Sequence, residues 1–239
     1  DLIFKIKNIN VEEFEQISYE ESISKYGTDK PDLRYDLEII NLSDTIADTE
    51  FFNFFNYGFT AGIKIKSGTS ISRKQIDVFS NYIKQEEIGG DKLFHIKINK
   101  DGFIKTTVDK FLSDKDKSSL ASDLKLKKGD IAFFMSGERR NILNIMGGLR
   151  VFLAKSLNLI NKDKFAALWV VDFPLFEWDD DNKRYSAMHH PFTAPKEEDV
   201  KKLSSNPLQV KPNAIPPCGG APYSNAFIKN PNCSEASFS

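Results

Sequence analysis

Two neighbouring stretches decide how this chain is read: Leu168-Trp169-Val170-Val171-Asp172-Phe173-Pro174-Leu175-Phe176-Glu177-Trp178, and Tyr185-Ser186-Ala187-Met188-His189-His190-Pro191-Phe192-Thr193. Ala166 to Val171 is an unbroken apolar run, which reads as a strand buried on both faces. Asp179-Asp180-Asp181-Asn182-Lys183 reads as a solvated turn, and Tyr185 onward as a returning strand. The pair is therefore expected to be a hairpin, with two of the three histidines near the end of its second arm. Both tryptophans lie in the same segment. Polar imidazoles at the end of a sheet mark a place to look for a site.

Working outward, composition narrows the classes. With 239 residues, 40% apolar and 28% charged, the chain has the balance of a globular protein of one large domain or two smaller ones. A net charge of −1 provides no chain-wide basic field, which argues against an RNA binder held by charge alone. No apolar run reaches the roughly 18–20 residues of a membrane span. The start, Asp1-Leu2-Ile3-Phe4, reads as cut from a longer chain. Cys218 and Cys233 lack the close pairs of a zinc site and read as incidental thiols.

On the N-terminal side, Asn10 to Tyr26 reads as a helical region, with a capping box at Ser18-Tyr19-Glu20-Glu21 and a stop at Gly27. Thr28 to Arg34 reads as a polar turn broken by Pro31, with a structural role for Arg34. Residues 37–160 carry the patterns of a compact α/β block. Ile63 to Lys66 alternates as a strand, and Ser72-Arg73-Lys74-Gln75 caps a helix whose Ile76, Phe79, Tyr82 and Ile83 share a face, with Gly89-Gly90 as its stop. Leu93 to Ile98 alternates, placing His95 as an exposed strand residue, and Asn99 to Gly102 turns the chain. Ser118 to Leu126 reads as helix, Lys127 to Asp130 as a turn, and Ile131 to Met135 as a strand. The clearest helix spans Glu138 to Asn158, with Gly147-Gly148 permitting close packing. From Pro212 the composition turns to Pro, Gly, Ser and Asn, and an irregular or disordered tail is expected.

The segment "LWVVDFPLFEW…YSAMHHPFTAP" closely resembles the aspartyl-tRNA synthetases of the bacterial type, just after their inserted domain. "SYEESISKYGTDKPDLRYDLEI" resembles the lead-in to that insertion. Between them, "GTSISRKQIDVFSNYIK" and "KKGDIAFFMSGE" resemble the GAD domain that those enzymes carry within their catalytic domain. The implied fold class is α+β, a GAD-like α/β insertion beside an incomplete class II catalytic domain with its antiparallel sheet. The implied division is 1–36 and 161–211 for catalytic-domain pieces, 37–160 for the insertion and 212–239 for a divergent tail.

The resemblance implies an aspartate–tRNA ligase, cytoplasmic or of an organelle matrix. Aspartate attacks the α-phosphate of ATP, assisted by magnesium, and the aspartyl group then passes to the terminal ribose of tRNA. Aspartate, ATP and tRNA are the implied partners and a homodimer the implied assembly, with neither membrane nor DNA. His189 and His190 are implied as aspartate contacts. An imidazole suits that role, because it accepts from an ammonium or donates to a carboxylate. Alternation along a strand lets at most one of the two face a given ligand. No catalytic residue is carried over.

A two-histidine metal site would need further ligands from Asp172, Glu177 or Asp179 to Asp181, and the acidic run reads better as a turn. Asp172 and Glu177 as an acid–base pair is weaker than a structural reading, and Asp172, which interrupts an apolar strand, is expected to have a buried hydrogen-bond partner or to face the pocket. The resemblance stops after "NPLQVK", where the family's nucleotide-binding segment would follow. The chain alone is therefore expected to be catalytically silent and to hold neither ATP nor magnesium. Its strand at Ala166 to Val171 is expected to lack most of its neighbours. The alternative reading is a non-catalytic GAD-type interaction or tRNA-binding module.

Overall fold

The computed structural model describes residues 15–55, 58–179, 182–189, 193–213 and 225–229. The chain divides into two compact units, one of Ile23–Lys164 and one made of Asp1–Ser22 with Phe165–Ser239. Architecture is mixed α/β, with an antiparallel sheet in the Ile23–Lys164 unit.

In that unit, β2 (Ile39–Asn41), β3 (Phe59–Ile65), β4 (Phe94–Ile98), β5 (Ile104–Thr106) and β6 (Ile131–Gly137) form one sheet in the order β2-β3-β6-β4-β5. Every pairing in it is antiparallel. β6 is central, and its unbroken apolar run is buried on both faces, as such a run should be. Ile131, Phe133 and Met135 join Ile63, Phe79, Ile83, Met146 and Leu149 in one core. Ala132 and Phe134 join Leu42, Phe51, Ile96, Leu120 and Leu124 in the other. Before the first cluster closes, α1 (Tyr19–Tyr26) ends at Gly27, whose φ of +68° and N–H to Ile23 O bond make the expected stop.

Helices follow their caps. α2 (Ser43–Ile46) and α3 (Glu50–Phe55) are short. α4 (Arg73–Ile83) starts with the expected capping box, Ser72 Oγ accepting from Gln75 N and Gln75 Oε1 from Ser72 N. It ends at Ile83 with Lys84 as its cap, several residues before the expected Gly89-Gly90 stop. α5 (Asp114–Asp123) starts earlier than the expected Ser118, because Ser113 and Asp116 form a second capping box. α6 (Arg139–Ser156) opens with Glu138 accepting from the amides of Arg140 and Asn141, an anion at the positive end of the helix. Its Gly147 meets Gly27, and a Cβ there would stand 2.6 Å from Gly27 O. Close packing is thus the reason for that glycine.

The polar turn before β2 is tied down by ion pairs and by one buried cation. Arg34 forks onto Asp32, Nε to Oδ1 at 2.9 Å and Nη2 to Oδ2 at 2.7 Å, which is a structural engagement. Arg150 of α6 is 1% exposed. It donates to Leu37 O, to Tyr35 Oη at 3.0 Å and to Asp32 O at 2.7 Å. Its guanidinium lies 4.8 and 4.3 Å from the ring centroids of Tyr26 and Tyr35. Burial pushes the Tyr35 hydroxyl up to about 12, against the pull of Arg150.

The other unit corrects several expectations. Glu15–Ser18 is a strand, β1, where helix was expected, and Asn10 to Phe14 lie outside the described residues. β1 pairs in parallel with β7 (Ala166–Val171), and Ile17 is buried there, so ladder pairing overrides the local helical pattern. β10 (Asn225–Lys229) pairs with the opposite edge of β7, antiparallel. The strand expected to lack neighbours therefore has one on each side, and the tail expected to be irregular supplies one of them. Only Leu168 and Val170 of β7 are fully buried, so this run is buried on one face rather than two. The hairpin is also different. β8 (Phe176–Asp179) pairs with β9 (Arg184–Ala187), and β7 belongs to another sheet. Asp172, at φ +59°, ends β7, and Pro174 has no N–H to continue a ladder. Cys218 and Cys233 lie outside the described residues.

Candidate functional site

The best-defined polar site lies where the β8–β9 hairpin runs into His189. Leu175 anchors it: its N–H donates to Val210 O at 2.8 Å, and its carbonyl accepts from Met188 N at 3.0 Å. Leu175 and Val210 are buried, so these bonds sit in a protected environment. They fix the backbone at Met188, immediately before His189. The hairpin itself is held by the Trp178–Tyr185 edge contact, centroids 5.0 Å apart, with Glu177 placed opposite Ser186.

His189 is half-buried and hydrogen-bonds the backbone of Pro174, which offers only a carbonyl. Its Nε2 is buried and has no hydrogen-bond partner among the described residues. Nδ1 is therefore the nitrogen that donates to Pro174. In the neutral ring this leaves Nε2 with a free lone pair. Burial pushes the imidazole below its ordinary 6.5, while the Pro174 carbonyl pulls the other way. An aromatic wall stands beside it. Phe173 meets His189 edge-on at 6.1 Å, and Tyr19 meets Phe173 at 4.9 Å. A buried acceptor without a partner is costly unless a ligand supplies one.

The flanking polar residues are organised for support. Asp172 is exposed and paired with Lys211 at 3.2 Å, which corrects the expectation of a buried partner. Asp199 is buried, accepts from the Lys211 amide at 3.0 Å and pairs with Lys202 at 2.6 Å. Those bonds, Lys202 first, hold its carboxyl below the usual range. Lys211 thus links two carboxylates through its backbone and its side chain. Neither Lys211 nor Asp199 is singled out by the sequence, because the 3₁₀ segment Glu197–Leu203 has no periodic signature. Asp172 and Glu177 are used separately, the first on Lys211 and the second within the hairpin. His190 lies outside the described residues. His95, in the other unit, is half-buried against Phe133 at 6.2 Å rather than exposed. Among the described residues no three His, Cys, Asp or Glu side chains are grouped to hold a metal ion.

The family model of class II tRNA synthetases (D, K and N) matches residues 2–214. The chain is 38% identical to the aspartate–tRNA ligase of Amoebophilus asiaticus over 206 residues, 86% of this chain and 35% of the relative. It is 35% identical to the aspartate–tRNA ligase of Porphyromonas gingivalis over 215 residues, 87% of this chain and 36% of the relative. It is 37% identical to the aspartate–tRNA(Asp/Asn) ligase of Caldanaerobacter subterraneus over 206 residues, 84% of this chain and 34% of the relative. The chain spans about a third of the length of these curated relatives.

Proposed function

The chain belongs to the class II tRNA synthetases (D, K and N), and on that premise we propose that it forms part of an aspartate–tRNA ligase in which His189 reads the side-chain carboxylate of aspartate. The supporting observation is the buried Nε2 without a partner, on a ring whose other nitrogen is pinned to Pro174. Aspartate and asparagine are nearly isosteric, so discrimination requires a group that responds to charge. A neutral imidazole in a poorly solvated place is such a group. An arriving carboxylate favours the imidazolium, so Nε2 takes up a proton and donates a charge-assisted bond. An arriving amide gives no such gain. Tyr19 and Phe173 exclude water beside the ring and strengthen the pair.

The same proposal assigns Ile23–Lys164 to the GAD-type insertion, since it interrupts the two stretches that build the other unit. ATP, tRNA, a homodimer and a cytoplasmic site of action follow from the reading as an aspartate–tRNA ligase. Among the described residues no group of three or more His, Cys, Asp or Glu side chains is assembled that would hold the magnesium accompanying ATP. Among the described residues no helix is long and apolar enough to cross a membrane.

The test is an NMR titration of the His189 ring with and without L-aspartate. Aspartate should raise its pKa, and asparagine at equal concentration should leave it in place. An equal response to both amino acids, or a fall with aspartate, would refute the assignment.

A further inference from the structure

Phe173 and Pro174 are the wall and the anchor of His189, and the two residues that tie them down are sequence neighbours. Val210 O accepts from Leu175 N at 2.8 Å, and the Lys211 ammonium stands 3.2 Å from the Asp172 carboxylate. The dipeptide between those ties meets the imidazole twice. Phe173 lies edge-on to the ring at 6.1 Å, and the Pro174 carbonyl takes its N–H.

Asp172 needs such a tie. Its φ of +59° puts it in the left-handed region, which a residue with a Cβ adopts at a cost. That conformation persists where the surroundings over-determine it. Pro174, two residues on, has no N–H to contribute to a ladder. Among the described residues Lys211 is the one ion-pair partner of Asp172.

Lys211 is itself held at its root. Its N–H donates to Asp199 Oδ2 at 3.0 Å, and its carbonyl accepts from Lys196 N at 2.9 Å. The Pro195–Pro212 bridge and the bond from Asn213 N to Ala194 O at 2.7 Å continue this pairing. Asp199 is buried, and its other oxygen takes the Lys202 ammonium at 2.6 Å. A charge-assisted bond to a backbone amide is among the stronger ones available. The stem of Lys211 therefore starts from a fixed point, which lessens the ordering cost that usually cancels an exposed ion pair.

We propose that Lys211 is a positioning residue for His189: by holding Asp172 it keeps Pro174 where its carbonyl fixes the imidazole's N–H on Nδ1 and leaves Nε2 open to a ligand. The purpose of that arrangement rests on the reading of His189 as the carboxylate contact; the coupling of Lys211 to the ring does not. Because the pair is exposed to solvent, its leverage on a local equilibrium is modest, about two- to five-fold.

The readout is the ratio of the two neutral tautomers of His189. It is taken from imidazole nitrogen shifts of the whole chain labelled with [15N]histidine, at about pH 8, where the ring is neutral. A His189→Gln chain assigns the signals. Lys211→Gln should raise the ratio of the Nε2–H to the Nδ1–H form about two- to five-fold. Asp172→Asn should do the same, since asparagine tolerates the left-handed region and removes only the charge. Combining the two should give no further rise, because both break one interaction. Lys211→Arg keeps the charge and should hold the ratio near native. Lys201→Gln removes an exposed lysine of the same 3₁₀ segment and should leave it unchanged. Circular dichroism checks that each variant folds, and Asp172→Asn carries the test alone if Lys211→Gln does not.

A native ratio in Asp172→Asn overturns the proposal. So does a Lys211→Gln effect that adds in full to that of Asp172→Asn, which would make it general loosening rather than the pair. A native chain whose His189 ignores aspartate sinks the carboxylate reading and leaves the positioning result standing. An unmoved ratio in the variants, with an intact aspartate response, does the reverse.

Discussion

Replacing Arg150 with methionine tests whether the buried cation organises the segment before β2. Methionine keeps most of the stem volume, so the change is mainly one of charge and hydrogen bonding. Losses come first. Three bonds from a charged donor, to Leu37 O, Tyr35 Oη and Asp32 O, are each worth about 1.5–3 kcal/mol. Two ring contacts contribute up to about 2 kcal/mol each in a desolvated place. Against this, the variant no longer desolvates a guanidinium, an effective gain of several kcal/mol. Burial does depress this guanidinium below its ordinary value, the direction a desolvation penalty gives. The difference comes to about 3–5 kcal/mol of destabilisation, the range for breaking a buried charged network. For a unit of this size it corresponds to a fall in Tm of roughly 10–17 °C. The assay separates the two units, because both tryptophans, Trp169 and Trp178, lie outside Ile23–Lys164. Urea midpoints by far-UV circular dichroism should fall, and those by tryptophan fluorescence report the other unit. Arg150→Lys keeps the charge without the planar fork and should recover less than half of the loss. If both variants unfold within about 0.5 kcal/mol of the native chain, the hydrogen-bond argument is wrong.

Gly147→Ala should destabilise by about 1–2 kcal/mol, overpacking against the Gly27 backbone outweighing alanine's helix preference of about 1 kcal/mol. Gly148→Ala meets only the Tyr82 hydroxyl, at 3.1 Å, and should stay within about 1 kcal/mol of wild type by thermal unfolding. For His95 and His189 the folded pKa lies below the ordinary 6.5, so the unfolded chain binds more protons below that value. Their contribution to stability is complete above pH 6.5 and is lost as the pH falls through the folded values. Urea midpoints should decline in that window, and a His95→Gln, His189→Gln variant should flatten the decline; an unchanged slope would contradict it.

Local signals carried the Ile23–Lys164 unit well. The Ser72 capping box, the Gly27 stop, the Lys127–Asp130 turn and the long helix on Glu138 were all legible, because each is decided within a few residues. Burial was not. Ala166–Val171 and Ile131–Met135 look alike as apolar runs, yet every residue of the second is buried and only Leu168 and Val170 of the first are. A run of side chains says that a strand can be buried, and the neighbours decide whether it is. β1 shows the same limit from the other side, since its pairing with β7 links residues far apart in the chain.

His189 marks where the site ceased to be legible. The residue stood out through resemblance to a family, but its chemistry is set by groups that the sequence does not pair with it. Pro174 lies on the approach to the first hairpin arm and His189 just beyond the second, so the β8–β9 register brings them together. Had the hairpin used β7, as the apolar pattern suggested, the carbonyl of Pro174 would sit within a turn. Nδ1 would then have no fixed partner. The register therefore selects the tautomer, the tautomer leaves Nε2 as the open nitrogen, and burial disfavours its protonation. Shifting the hairpin by one residue would move the alternating side chains to the opposite face. The Leu175–Met188 and Leu175–Val210 bonds that hold this register are thus as much a part of the proposed carboxylate reading as the imidazole itself.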